Sequence, residues 1–265
     1  MTGYTLAISD TEVTRYRWMA DRALILEATE LDAAGIAAGA VVADVGCGPA
    51  AMSVELAARV GPTGRVIAVE RDEQALATAR ALVAQSGATN VEVRAGDAAG
   101  TRVEPGSVDV VMMRHVLAHN GGNEQAIVDH LATLPRVGGC VYLVDVDLTG
   151  VRTVGEDPGL DDLNDTYVRF HAARGNDPRI GLRLGRLLQA AGLDLVSFTG
   201  HYSIVDFPSG VRVPAFAARD AMVAEGAVTA EHFASWDAAV ARSDAMAARP
   251  VHFLPFFVAI GRRLR

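Results

Sequence analysis

The run Val41–Val45 is apolar except for Asp44, and it stops on Gly46-Cys47-Gly48-Pro49-Ala50-Ala51. A helical stripe follows at once, with Met52, Leu56 and Val60 spaced by four. A strand that breaks on two glycines and feeds a helix leaves few folds open. Glycines there permit a tight turn and bring backbone close to a ligand that side chains would block. The N–H groups and dipole at the start of the helix add a positive field.

The strand–helix alternation continues along the chain. "GPTG" at 61–64 reads as a turn and "RVIAVE" at 65–70 as a second strand. "DEQALATARALVAQSG" reads as a helix that starts on acidic residues and stops at Gly87. "VEVRAGD" at 91–97, "VDVVMM" at 108–113 and "CVYLVDVD" at 140–147 supply three more strands, with a helix over 124–134 before the last. Short loops between these units predict an α/β, doubly wound parallel sheet with helices on both faces, in one domain spanning 1–265.

The flanks differ from this core of residues 40–147. Residues 10–31 predict an amphipathic helix through Ala20, Leu24, Ala28 and Leu31. Leu160, Leu163, Tyr167 and Phe170 form a helical stripe, and residues 182–192 form another helix. "LDLVSFTGHYSI" reads as a sixth strand. Residues 214–247 read as helical, with Pro214 in a first turn and Phe233, Trp236 and Val240 on one face. The final strand is expected to begin after Pro255, which has no N–H for a ladder. The helical insertions at about 150–190 and 207–250 are expected to form a lid over the core.

Composition narrows the partners. Hydrophobic residues make up 50% of the chain, enough for a full core. The net charge of -8 argues against nucleic acid, which calls for a basic face. No apolar run is long enough for a membrane span, and the N-terminus lacks an apolar signal core. Cys47 and Cys140 form no CxxC pair, so neither a disulfide framework nor a zinc site is expected, and a cytoplasmic setting follows. All 24 basic residues are arginine. The missing lysine excludes Schiff-base chemistry and the P-loop. The wealth of Ala, Gly and Val suggests a GC-rich bacterial genome.

Two cofactor readings fit the loop. Gly46-x-Gly48-x-x-Ala51 matches a nicotinamide fingerprint, and Asp44-x-Gly46-x-Gly48 matches a loop that holds S-adenosylmethionine. Glu70 ends the second strand, where a carboxylate accepts hydrogen bonds from both ribose hydroxyls of an adenosine, so it serves either reading. Asp44 separates them. A carboxylate there would repel a pyrophosphate but suits the ammonium and sulfonium of S-adenosylmethionine, directly or through water. Its alternative role is to cap the glycine turn.

"VVADVGCGPAAMSVELA", "VIAVERDEQAL", "VRAGDA", "VDVVMMRHVLAH" and "LPRVGGCVYLVDVD" together resemble class I S-adenosylmethionine-dependent methyltransferases. The likeness is to the small-molecule branch that includes quinone-biosynthesis enzymes. It is firm over about 40–147 and loose beyond. It implies a Rossmann-like seven-stranded sheet in the order 3-2-1-4-5-7-6, its last strand antiparallel. It implies that Asp44, Gly46 and Gly48 line the methionine part of the cofactor, with Cys47 filling the turn of the same cofactor-binding loop. Glu70 would hold the ribose, Arg71 would lie beside the adenine, and Gly96-Asp97-Ala98 would match the segment after strand three whose aspartate contacts the adenine amino group. Arg114 and His115 would border the methionine moiety.

Acceptor chemistry has no fixed motif. His119 is the first candidate base. "RHVLAHN" sets His115 and His119 four apart, on one face if this stretch is helical, at the sheet edge where ligands bind. His171 on the later helix is the second catalytic candidate, with Tyr167 and Phe170 as acceptor contacts. Asp145 and Asp147 share a side of the sheet at period two, and a hydrogen-bonded strand end is the preferred reading over a metal site. The function expected is methyl transfer to a small organic acceptor, by O-, N- or C-methylation, with a natural-product or quinone-like intermediate as the fitting class. The alternatives are an NAD(P)-dependent reductase and an S-adenosylmethionine-binding protein with a cyclase-like or regulatory role. The helices at 214–247 suit a homodimer contact as readily as a lid.

Overall fold

The computed structural model describes residues 10–155, 158–207 and 211–265. The first nine residues, on which the expectation of no signal segment partly rests, lie outside the described residues, as do short stretches of both insertions. Two helices, α1 (Asp10–Leu26) and α2 (Ala28–Ala34), precede the sheet. The alternating core follows as β1 (Val41–Val45), α3 (Ala51–Val60), β2 (Arg65–Glu70), α4 (Glu73–Ser86), β3 (Val91–Ala95), β4 (Val108–Arg114), α5 (Glu124–Leu131) and β5 (Pro135–Val146). The remainder supplies β6 (Arg152–Val154), α6 (Pro158–Ala173), α7 (Leu184–Ala190), β7 (Asp194–Val205), α8 (Pro214–Ala217), α9 (Arg219–Ala224), α10 (Ala230–Ala245) and β8 (Val251–Arg262).

Strands β3, β2, β1, β4 and β5 are parallel neighbours in that order. Strand β8 runs antiparallel between β5 and β7. The order expected from the resemblance therefore holds, but the described sheet has eight strands rather than seven. The extra strand, β6, extends the line of β5 along the same edge of β8. Three residues are too few to show a period of two.

The expectation that the last strand starts after Pro255 is corrected, since β8 begins at Val251. Pro255 sits opposite the gap between β5 and β6, and its carbonyl accepts from Asp147 N. Its missing N–H falls where no strand would have used it.

The sheet alternates strictly between two cores. Ala43, Val45, Ile67, Val69, Val111, Met113, Val141 and Leu143 face α5 and α7. Val42, Val66, Val110, Met112, Cys140, Tyr142 and Val144 face α1, α2 and α3. A third cluster joins Leu163, Tyr167 and Phe170 of α6 to Ala215, Met222 and Trp236 of the later helices. Trp236 is fully buried there, and its indole N–H donates to Asp162 at 2.7 Å.

Two long helices expected from the sequence are interrupted. The first breaks at Glu27, whose backbone is not helical (φ -111°, ψ 17°). The stretch 214–247 divides into three helices, with Gly226 in the left-handed region (φ +72°) after α9 and Thr229 capping α10.

Candidate active site

The sheet reverses its winding between β1 and β4, so their carboxyl ends leave a crevice between them. The glycine loop after β1 lies there. Gly46 and Gly48 have φ of +74° and +54°, a region that an L side chain enters at a cost. A Cβ on Gly46 would stand 2.4 Å from Val116 Cγ2. Glu70, at the end of β2, fixes the loop: Oε2 accepts from Gly48 N at 3.0 Å, and Oε1 accepts from Arg71 N at 2.8 Å and Asp72 N at 3.0 Å.

Two cavities meet at this crevice. The smaller, about 60 Å³, is a groove lined by Gly46, Gly48, Glu70, Arg71, Gly96 and Ala98 along the strand ends. The larger, about 140 Å³, lies under α1 and the later helices, with walls that include Trp18, Met19, Leu148, Tyr167, Leu254 and Phe256. Tyr16, Arg114, His115 and His119 line both. A molecule in the groove and one in the apolar cavity would therefore touch across these four side chains.

Four expected cofactor and catalytic residues line neither cavity, and neither does Phe170, an expected acceptor contact that packs instead in the third core cluster. Asp44 shares the period of Val42 and faces α3, where its Oδ2 accepts from Ser53 Oγ at 2.6 Å. Burial raises its carboxyl to about 6, against the lowering effect of Ser53. Cys47 packs with Ala50, Ala68, Ala79 and Val83, and burial pushes its thiol well up. Asp97 turns outward, accepting from Ala99 N at 2.9 Å and pairing with Arg71 at 3.6 Å. His171 is buried against His119, their ring centroids 4.9 Å apart, and against the Tyr167 ring at 4.4 Å.

The helical relation of His115 and His119 is also corrected. His115 takes a left-handed backbone (φ +56°) at the end of β4, and only Leu117–His119 forms a 3-10 turn. The two rings reach the seam between the cavities all the same. Burial drives His115 well below its ordinary range, helped by the nearby Arg114 and Arg15 charges. Burial, with His171 and Arg15 nearby, takes His119 down to about 3, so both rings are neutral at pH 7. Asp145 also lines the larger cavity. Its oxygens accept from Val146 N at 3.0 Å and Ala118 N at 3.2 Å, yet burial lifts it to about 7. Asp147 instead caps the turn at Leu148–Gly150 through Thr149 N. Among the described residues no cluster of His, Cys, Asp and Glu is placed to hold a metal ion.

The sequence reading missed the support beneath this seam. Arg114 makes a bidentate pair with Glu27, through Nη1 to Oε2 and through Nη2 to Oε1 at 2.9 Å. Tyr142 donates its hydroxyl to the same Glu27 Oε2 at 2.6 Å. Burial alone would lower the Arg114 guanidinium, and the Glu27 charge holds it above its ordinary value. One signal was available: Glu27 follows Ala20 and Ala23 at i+7 and i+4, so a charge falls on the apolar face of that helix.

Comparison with known proteins agrees with the geometry. Residues 36–167 match a family model described as a methyltransferase domain. The arsenite methyltransferase of Halobacterium salinarum is 34% identical over 113 residues, which cover 43% of this chain and 29% of that protein. The demethylmenaquinone methyltransferase of Lactococcus lactis is 28% identical over 107 residues, 40% of this chain and 42% of that one. The chain thus spans less than half the length of these curated relatives. Among solved structures, a SAM-dependent methyltransferase from Aquifex aeolicus is similar in fold, with a TM-score of 0.53 and 19% identity over 72% of this chain and 93% of that chain.

Proposed function

The chain belongs to the class I S-adenosylmethionine-dependent methyltransferases, and from that premise we propose that it methylates a small organic acceptor held in the larger cavity. The observation that carries this reading is the seam where the groove and the cavity share Tyr16, Arg114, His115 and His119.

The groove fits the cofactor. Its floor is glycine backbone close enough to Val116 that no side chain fits at Gly46, and Glu70 stands at the ribose position of such sites. Gly46, Gly48, Glu70, Arg71, Gly96 and Ala98 would hold it, with Arg114 and His115 at its reactive end. Asp44 would act from beneath, keeping the loop in place through Ser53. When bound, the cofactor supplies an electrophilic methyl group on a sulfonium sulfur. The residues of this chain align the acceptor for in-line attack, which needs close approach more than it needs acid–base chemistry. His119, neutral at the seam, is the group placed to accept a hydrogen bond from a hydroxyl or amine of the acceptor and so orient it; held at about 3 by burial, it acts by positioning rather than as a strong base. Apolar walls from α1, α6 and α8 exclude water, with α6 and α8 acting as a lid. An acceptor of natural-product or quinone-like type, with an apolar body, suits this cavity.

The test is release of S-adenosylhomocysteine from S-adenosylmethionine with a panel of apolar hydroxyl, amine and activated-carbon acceptors. Glu70→Ala should weaken S-adenosylhomocysteine binding by tenfold or more, since it removes charge-assisted hydrogen bonds each worth about 1.5–3 kcal/mol. His119→Ala should lower turnover and leave cofactor affinity near wild type. Full turnover in His119→Ala removes that assignment, and cofactor binding without product for any acceptor favours the non-methylating reading.

A further inference from the structure

Three arginines line the larger cavity: Arg15, Arg22 and Arg114. Two of them are neutralised within the protein. Arg15 is buried and pairs with buried Glu12, Nη2 to Oε2 at 2.6 Å. Arg114 is claimed by Glu27 through both of its terminal nitrogens. Arg22 differs. Among the described residues no carboxylate pairs with it, its Nε is buried without a hydrogen-bond partner, and its guanidinium lies over the Trp18 ring at 5.2 Å.

A buried donor left unmade is costly, and a cation–π contact does not satisfy an N–H aimed elsewhere. A planar guanidinium, held against an indole and facing an apolar cavity, is instead ready for a planar oxyanion. We propose that the acceptor is an amphiphilic monocarboxylate, its carboxylate paired with Arg22 and its apolar body lying along Met19, Leu254 and Phe256. The inference rests on the methyltransferase reading for the other end of the ligand.

The helix sets the length of that ligand. Tyr16, at the seam, and Arg22 are six residues apart on α1, about 9 Å along the axis at about 1.5 Å per residue. The carboxylate therefore lies on the order of 10 Å from the methyl-accepting atom. One unpaired cation matches one negative charge, so a diphosphate or dicarboxylate would leave charge buried without a partner.

Calorimetric titration of octanoate and 1-octanol into the full chain, saturated with S-adenosylhomocysteine at pH 7.5 and low salt, tests this. Octanoate should bind at least about tenfold more tightly than 1-octanol, the margin of a charge-assisted pair. Arg22→Gln should abolish that margin and leave 1-octanol affinity unchanged, while Arg22→Lys retains part of it. Equal binding of the two probes, a margin that survives in Arg22→Gln, or no octanoate binding overturns the proposal. Octanoate binding that depends on Arg22 in a wild-type chain that fails to bind S-adenosylhomocysteine would keep the carboxylate site and remove the methyltransferase reading.

Discussion

Glu27→Gln is the substitution that probes the site's support most directly. The wild-type carboxylate accepts from both terminal nitrogens of Arg114 and from the Tyr142 hydroxyl. The paired side chains are 11% and 4% exposed, so solvent screens little of the interaction. Glutamine keeps the shape and removes the charge, and its amide NH2 replaces one of two carboxylate oxygens that accept from Arg114, whose guanidinium can only donate. Arg114 is left as a buried charge without compensation, a change that costs about 3–5 kcal/mol. At about 2–4 °C per kcal/mol for a chain of this size, the melting temperature should fall by roughly 6–20 °C. The control removes every polar partner at once. In Glu27→Leu with Arg114→Met and Tyr142→Phe, no charge and no hydroxyl is stranded, and the stability should return to within about 2 kcal/mol of wild type. Urea unfolding at constant m reads both values. A single variant that loses less than about 1 kcal/mol, or a triple variant as unstable as the single, would refute the assignment of Glu27 as the anchor of the seam.

Two further outcomes follow from the geometry. Gly46→Ala should lose about 2–4 kcal/mol of stability, combining left-handed strain with the contact against Val116, and should weaken S-adenosylhomocysteine binding; adding Val116→Ala should recover part of the stability but not the strain. His252, buried beside Thr153, is held at about 4 by burial and then by Arg249, so the unfolded chain takes up its proton first as pH falls below about 6.5. Its contribution is present above that value and is lost on acidification toward pH 4, and His252→Gln should flatten the stability–pH slope between pH 4.5 and 6 by about 1.4 kcal/mol per unit. Asp44 and Asp145, raised by burial to about 6 and about 7, have the opposite sign: their contribution is lost as pH rises through those values. An unchanged slope in His252→Gln would mean that the ring is already solvated.

The glycine loop, the strand–helix alternation and the acid at the end of β2 were all legible in the sequence, because each depends on neighbours within a few residues. Backbone turns, periods of two and 3.6, and capping are local physics. Together they determined the sheet and the crevice, while the class of cofactor was legible only through the resemblance of the whole motif set. The face of Asp44 was also written there, since Val42 and Asp44 share a side of β1, but only the packing of α3 against that side shows Ser53 waiting for it. The relation of His115 to His119 misled because spacing of four implies a shared face only in a helix, and His115 is left-handed at a strand end. Tertiary structure alone decided the rest. It brought Glu27 to Arg114 across 87 positions and to Tyr142 across 115, and it placed His171 against His119 rather than beside the cavity. It also gathered Trp18, Val213 and Phe256 into one wall. Such contacts have no period, because what selects them is the exclusion of water from a shared volume, and that volume exists only once the chain has closed around it.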